Sequence, residues 1–219
     1  VTELERRIDS QTGTIGLQFE RVLELLGHWG HVEGWSVTDR GELLAGVYHE
    51  ADLVVAEAIA EGCFDGLDAP ELAAVASLLV YEHRAPGPPP SPRYPSTRVR
   101  QRAAEIDAIV ARLQSDEDRL GLPLTRGVDG AFARMAHEWC AGEGLAQLLE
   151  SGDVELTGGD FVRTIRQLID LVRQIGQLAP DPVTAATARR AVGALERGVV
   201  AASAEVDDEE PTDDDRPQG

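Results

Sequence analysis

The chain has 219 residues, 42% of them apolar and 5% aromatic, and a formal charge of −19. This apolar content supports a real core, and the dominance of alanine, leucine and valine favours helices over a β-sandwich. All 20 basic residues are arginine, which excludes a Walker A loop and Schiff-base lysine chemistry in this stretch. The acidic balance excludes binding of nucleic acid by bulk electrostatics, so any such contact must be local and rest on a few arginines.

Residues 1–12 read as the end of an upstream helix, from an arch or linker, with Leu4 and Ile8 apolar. Val1 opens inside a charged helical pattern, as expected of a piece of a longer protein. Residues 13–84 read as a first helical half. Thr12-Gly13-Thr14-Ile15-Gly16 predicts a break, and Leu17, Phe19, Val22, Leu23, Leu25 and Leu26 predict a helix ending near Gly27 to Gly30. Alternation about Gly34 predicts a small β-element over 31–38. Thr38 then opens a helix towards His49, with Asp39 and Glu42 suiting its dipole. A further helix starts at Asp52 and stops at Gly62, and Asp68 with Pro70 starts another over 71–83. Residues 85–96 hold five prolines before Tyr94 and a sixth after it, a proline-rich linker that is extended or polyproline-like.

Residues 97–203 read as the second helical half. Helices are predicted over 97–120, 129–140, 145–149 and 160–177, and from Asp181-Pro182 to Val199. Residues 204–219 form an acidic tail of disordered composition. The fold class is therefore mainly α, a helical bundle with a small β-element near residues 31–38. The sequence shows no membrane-length apolar run, and no signal peptide is expected in this stretch.

The helix over 160–177 carries the most information. Phe161, Ile165, Leu168, Val172 and Ile175 form an apolar face, and Arg163, Arg166, Gln167, Asp170, Arg173 and Gln174 form a polar stripe. The stripe reads either as a solvated face or as a contact in which Arg163 and Arg166 touch a phosphate or stack on a base. His28, His31 and Glu33 would make a metal site only if they converged on one point. Cys63 and Cys140 lie far apart without a CxxC pattern and read as buried thiols. His137-Glu138 begins like a zincin helix, but Ala141 stands where the second histidine is needed. Glu50, Asp52 and Glu57 read as solvated or arginine-paired. Trp29 and Trp139 read as core anchors and Trp35 as a loop residue. No nucleophile, base and oxyanion hole assemble, so no catalytic residue is expected here.

Several ordered blocks resemble one family. They are Gly30-His31-Val32-Glu33, Val37-Thr38-Asp39-Arg40-Gly41-Glu42-Leu43-Leu44-Ala45, Asp52-Leu53-Val54-Val55-Ala56-Glu57, and Gly62-Cys63-Phe64-Asp65-Gly66-Leu67. His137-Glu138-Trp139-Cys140-Ala141-Gly142 and then Gly159-Asp160-Phe161-Val162-Arg163-Thr164-Ile165-Arg166 follow in the second half. Together these blocks, spanning roughly residues 13–203, resemble the C-terminal DSHCT domain of HelY-type and DOB/Ski-type DExH-box RNA helicases. The arginine-rich, lysine-free composition suits an actinobacterial source.

The resemblance implies a cytoplasmic module that completes a ring with two RecA-like motor domains of the same polypeptide, around single-stranded RNA or DNA. ATP and Mg would bind in that motor; no cofactor and no metal is expected in this stretch, and no membrane partner. The helix over 160–177 would be the ratchet helix, with Arg163, Arg166, Gln167 and Asp170 along the strand. Gln167 stands where relatives often carry another arginine, which implies a weaker grip. The alternative is a helical protein-interaction or scaffold domain without nucleic-acid contact. Arginines facing an open groove favour guiding; arginines paired within the protein favour the scaffold.

Overall fold

The computed structural model describes residues 2–84, 87, 90–150, 156–198 and 200, with side chains from Ile15 onward. Among these residues the chain forms nine helices and one two-stranded sheet: α1 (Thr2–His28), β1 (Val32–Glu33), β2 (Ser36–Val37), α2 (Asp39–Ala45), α3 (Asp52–Ala60), α4 (Ala69–Val80), α5 (Thr97–Leu120), α6 (Ala133–Ala141), α7 (Leu145–Glu150), α8 (Gly158–Leu178) and α9 (Pro182–Leu195). The mainly helical bundle with a small β-element is thus observed. The acidic tail over 204–219 lies outside the described residues.

Polar side chains set the helix starts. Asp68 and Glu71 form a reciprocal capping box at α4, Ser96 caps α5, Thr157 caps α8, and Asp181 caps α9 ahead of Pro182. Thr38 works in two directions. Its hydroxyl oxygen accepts from Gly41 N at 3.1 Å, and its O–H donates to Gly30 O at 2.7 Å. One side chain therefore ties the hairpin β1–β2, antiparallel with Val32 opposite Val37, to the start of α2.

Helix α4 occupies the centre. Glu71 through Leu79 are all buried, so it has no solvent face along that run, as expected of a helix apolar on every side. It packs against α5, α6, α8 and α9. The helical stretches on either side of residues 85–96 consequently share one core. Tyr81 stacks on Phe132 at 5.4 Å, and Trp139 meets Phe161 edge-on at 5.1 Å.

Some helix ends differ from the sequence expectation. Helix α1 runs unbroken through residues 12–16, because a glycine in a helix costs only about 1 kcal/mol and does not by itself stop one. Helix α4 ends at Val80, not residue 83. There Arg126 donates to Leu79 O and Tyr81 O, and Asp129 accepts from His83 N, so tertiary partners replace further helical bonds. Helix α6 begins at Ala133 because Asp129 Oδ1 first accepts from Ala131 N in a turn. Helix α9 stops at Leu195, whose carbonyl accepts from Trp139 Nε1 at 3.0 Å.

Two glycines mark close approaches with opposite consequences. A Cβ at Gly41 would lie 2.1 Å from His31 O and 2.6 Å from Val37 Cγ1, whereas one at Gly193 would meet nothing within 4 Å. Gly41→Ala should therefore lose about 2 kcal/mol of stability through overpacking. Gly193→Ala, exposed in the last turn of α9, should gain about 0.5 kcal/mol. Urea denaturation of both variants checks the opposite signs.

Candidate nucleic-acid interface

The site is built on α8. Thr157 Oγ1 accepts from Asp160 N at 3.1 Å while its O–H donates to Asp160 Oδ2 at 2.7 Å. Asp160 Oδ1 then accepts from Arg163 Nη2 at 2.6 Å. The Thr157 hydrogen bond, helped by nearby Arg163, holds the Asp160 carboxyl below its ordinary value. The apolar face formed by Phe161, Ile165, Leu168, Val172 and Ile175 is buried, as its periodicity predicts.

Asp160, Arg163, Gln167, Asp170 and Gln174 follow one another along one edge of α8. Helical rise makes this edge about 21 Å long. It forms one wall of two adjoining clefts of about 430 and 330 Å³, which share Val80, Glu82, Arg84 and Gln167. The opposite wall comes from Val80 to Arg84, after α4, and from Tyr48, His49 and Glu50, between α2 and α3. The result is an open groove along the helix.

The predicted site residues separate on this geometry. Arg163 and Gln167 are exposed and line the groove, and Asp170 lines its second part. Arg166 lies about 60° round the helix from Arg163, outside both linings, half-buried and engaged by neighbouring groups. Arg173 pairs with Asp170 at 3.3 Å and also with Glu196, tying α8 to the end of α9. Sequence reasoning missed the far wall altogether. The sequence pattern puts Tyr48 at a helix end, Glu82 inside the helix over 71–83 and Arg84 just before the proline-rich linker, and nothing in it brings them to α8.

The groove is mixed in charge. Arg163 and Arg84 face it, with Asp160, Glu82, Glu50 and Asp170. Both arginines have exposed acidic partners, Arg163 with Asp160 at 2.6 Å and Arg84 with Glu82 at 3.2 Å. Exposed pairs of this kind are worth about 0–1 kcal/mol, so an incoming anion can replace the carboxylate. His49, also in the groove, has its basicity lowered by burial, and its Nδ1 accepts from Ala51 N at 3.0 Å.

The other sequence candidates serve structure. His28 Nε2 points to Asp116 at 3.6 Å, His31 Nε2 to Glu57 at 3.0 Å, and Glu33 is exposed on β1, so the three do not converge. Among the described residues no three His, Cys, Asp or Glu side chains group to hold a metal ion. Glu57 is buried, with Arg40 Nε donating to its Oε1 at 2.9 Å and Arg40 Nη2 to its Oε2. Glu50 pairs with Arg126 at 3.3 Å, and Asp52 accepts from Leu53 N at 2.7 Å. Cys63 and Cys140 are buried free thiols, pushed up to about 11 and about 12 chiefly by burial, which makes them inert at neutral pH. Trp139 is a core residue under Arg197, whose guanidinium carbon lies 3.6 Å from the ring centre. Trp29 donates to Asp116 at 3.0 Å, while Trp35 is 90% exposed at the hairpin tip.

Residues 34–203 match the DSHCT (NUC185) domain, and the chain belongs to that family. Among curated proteins it is similar to Probable helicase HelY of Mycobacterium tuberculosis strain H37Rv, at 37% identity over 214 residues covering 92% of this chain and 24% of that protein. Probable helicase HelY of Mycobacterium leprae strain TN is likewise 37% identical over 214 residues, with 23% of its length covered. The chain thus spans about a quarter of the length of these curated relatives. Their mycobacterial origin agrees with the actinobacterial expectation. Among the described residues no helix is long and apolar enough to cross a membrane.

The buried Glu57 pair gives a pH-dependent test. Burial raises the Glu57 carboxyl, but the contacts from His31 and Arg40 outweigh it and leave it below its ordinary 4.5. A depressed carboxyl stabilises the fold above its unfolded value, and that stability is lost as pH falls through the folded value. Glu57→Gln should cost about 1.5–3 kcal/mol at pH 7, since it replaces charge-assisted hydrogen bonds from the partly exposed Arg40 to a buried carboxylate by neutral ones. The deficit should shrink as pH falls through the folded value, where the native carboxylate also protonates. Urea titrations at pH 7 and pH 3.5 measure the difference.

Proposed function

We propose that this domain guides one strand of RNA, or DNA, along α8 within a cytoplasmic helicase whose ATP-hydrolysing RecA-like motor belongs to the same polypeptide. The observation that carries this reading is the open groove whose wall is one continuous edge of α8, with Arg163, Gln167 and Asp170 facing it. Membership of the DSHCT family and similarity to named helicases support it.

On this reading ATP and Mg belong to the motor domains. The chain has no lysine for the phosphates, and no cation-holding cluster occurs among the described residues. No step of nucleotide hydrolysis is therefore assigned to it. Its part is positional. Arg163 exchanges Asp160 for a backbone phosphate. Gln167, at the junction of the two clefts, offers an amide to phosphate, sugar or base. Asp170 holds Arg173 against α9 and presents an acceptor to base amino groups. Arg166 supports the helix from within the protein and does not touch the strand. The strongly acidic remainder repels nucleic acid from other surfaces, which confines the strand to the groove.

The pairing of Arg163 with Asp160 and the engagement of Arg166 favour a second reading, a helical scaffold that binds protein only. Unwinding separates the two. In the full-length parent, Arg163→Ala should lower ATP-dependent unwinding of a 3′-tailed RNA duplex about tenfold, with ATP hydrolysis retained. Unchanged unwinding would favour the scaffold. With so few cationic contacts and a charge of −19, the isolated chain should bind single-stranded RNA more weakly than about 1 μM at physiological salt. Fluorescence anisotropy across a salt series measures this, and the slope should correspond to only one or two phosphates.

A further inference from the structure

We infer that Tyr48 is a base-stacking platform for single-stranded nucleic acid at the far end of the α8 groove. The inference rests on the guiding role proposed for that groove.

Tyr48 is 81% exposed, although its backbone is tightly held. Its N–H donates to Gln174 Oε1 at 2.7 Å, and its carbonyl accepts from Gln174 Nε2 at 3.3 Å. One amide side chain of α8 thus grips both polar groups of the tyrosine backbone. The loop is also pressed close to the helix end: a Cβ on neighbouring Gly46 would lie 2.6 Å from Leu178 Cδ2. On the other side Val47 is buried. The phenol ring is therefore carried on a fixed backbone, indexed to α8, while its face is open to solvent.

Tyr48 lines the same cleft as Gln167, Asp170 and Arg84. Arg163 and Gln174 are about 16 Å apart along the helix. A phosphate held at Arg163 and a base stacked on Tyr48 would thus be positioned by one rigid element. The charges agree with this division. Glu50 and Asp170 line only the Tyr48 end, whereas Glu82 and Arg84 line both clefts; the two acids disfavour phosphate there but accept hydrogen bonds from the amino groups of bases. Stacking tolerates any sequence because every base has a π-face, as a strand-guiding surface needs. Being exposed, the ring can be removed without opening the core.

The test uses the 219-residue chain at low salt and high protein concentration. Anisotropy is read with a 12-nucleotide oligouridylate and with an abasic sugar-phosphate oligomer of equal length. Tyr48→Ala should weaken binding of the oligouridylate about tenfold, and Tyr48→Phe should hold it within about twofold. Neither variant should differ from wild type on the abasic oligomer, whereas Arg163→Ala should weaken both ligands. If Arg163→Ala weakens binding and Tyr48→Ala does not, the platform is overturned and the groove reading stands. If neither substitution changes binding, or the wild type binds no strand, both fall and Tyr48 belongs to a protein-contact surface.

Discussion

Burial of α4 on every side is the constraint on which the rest of the structure depends. A helix whose residues from Glu71 to Leu79 all lack solvent exposure must be surrounded, and α5, α6, α8 and α9 are what surround it. Its two polar residues in that run are satisfied locally: Ser77 donates to Ala74 O at 2.8 Å, and Glu71 takes part in the capping box and accepts from Arg98 at 2.9 Å. With α4 enclosed, α8 has one way to bury its own apolar face, which leaves one long edge of α8 exposed beside the residues that follow α4. The groove is a consequence of that packing.

Charge acts at a second level. Arginine is the sole cation, and arginines join distant parts of the chain through carboxylates and carbonyls. Arg98 reaches Glu71, Arg112 reaches Glu61 at 2.6 Å, and Arg102 donates to Asp65 O at 2.9 Å. Planar guanidinium groups suit such multi-donor contacts better than ammonium groups do. Many of these cations are committed to the fold, and the two that line the groove, Arg163 and Arg84, are held only by neighbouring acids and can exchange them.

Much of this architecture is legible in the sequence, and what is not has a physical reason. The bounds of α5 follow from Ser96 and Gly121, and α8 from Thr157 and its 3.6-residue period. The buried faces of both helices follow from the same periodicity. Helix ends decided by distant partners were not legible: α4 stops where Arg126 and Asp129, over forty residues away, take its last backbone groups. The groove was half legible for the same reason. Its α8 wall is one periodic stripe, but the wall of Tyr48 and Arg84 reaches it only through tertiary packing. The separation of Arg163 from Arg166 was available in principle, since a three-residue step turns a helix side chain by 60°; which side of that 60° stays open depends on the neighbours.

The central claim is that the edge of α8 and its facing loops form the one surface on which a strand lies. Chemical-shift mapping of the isotopically labelled chain, titrated with oligouridylate at low salt, tests it most directly. Perturbations should concentrate at residues 160–174, 48–50 and 80–84, with Trp35 and the outer face of α5 unaffected. Perturbations centred on the hairpin or on α5, or none at millimolar strand, would contradict it.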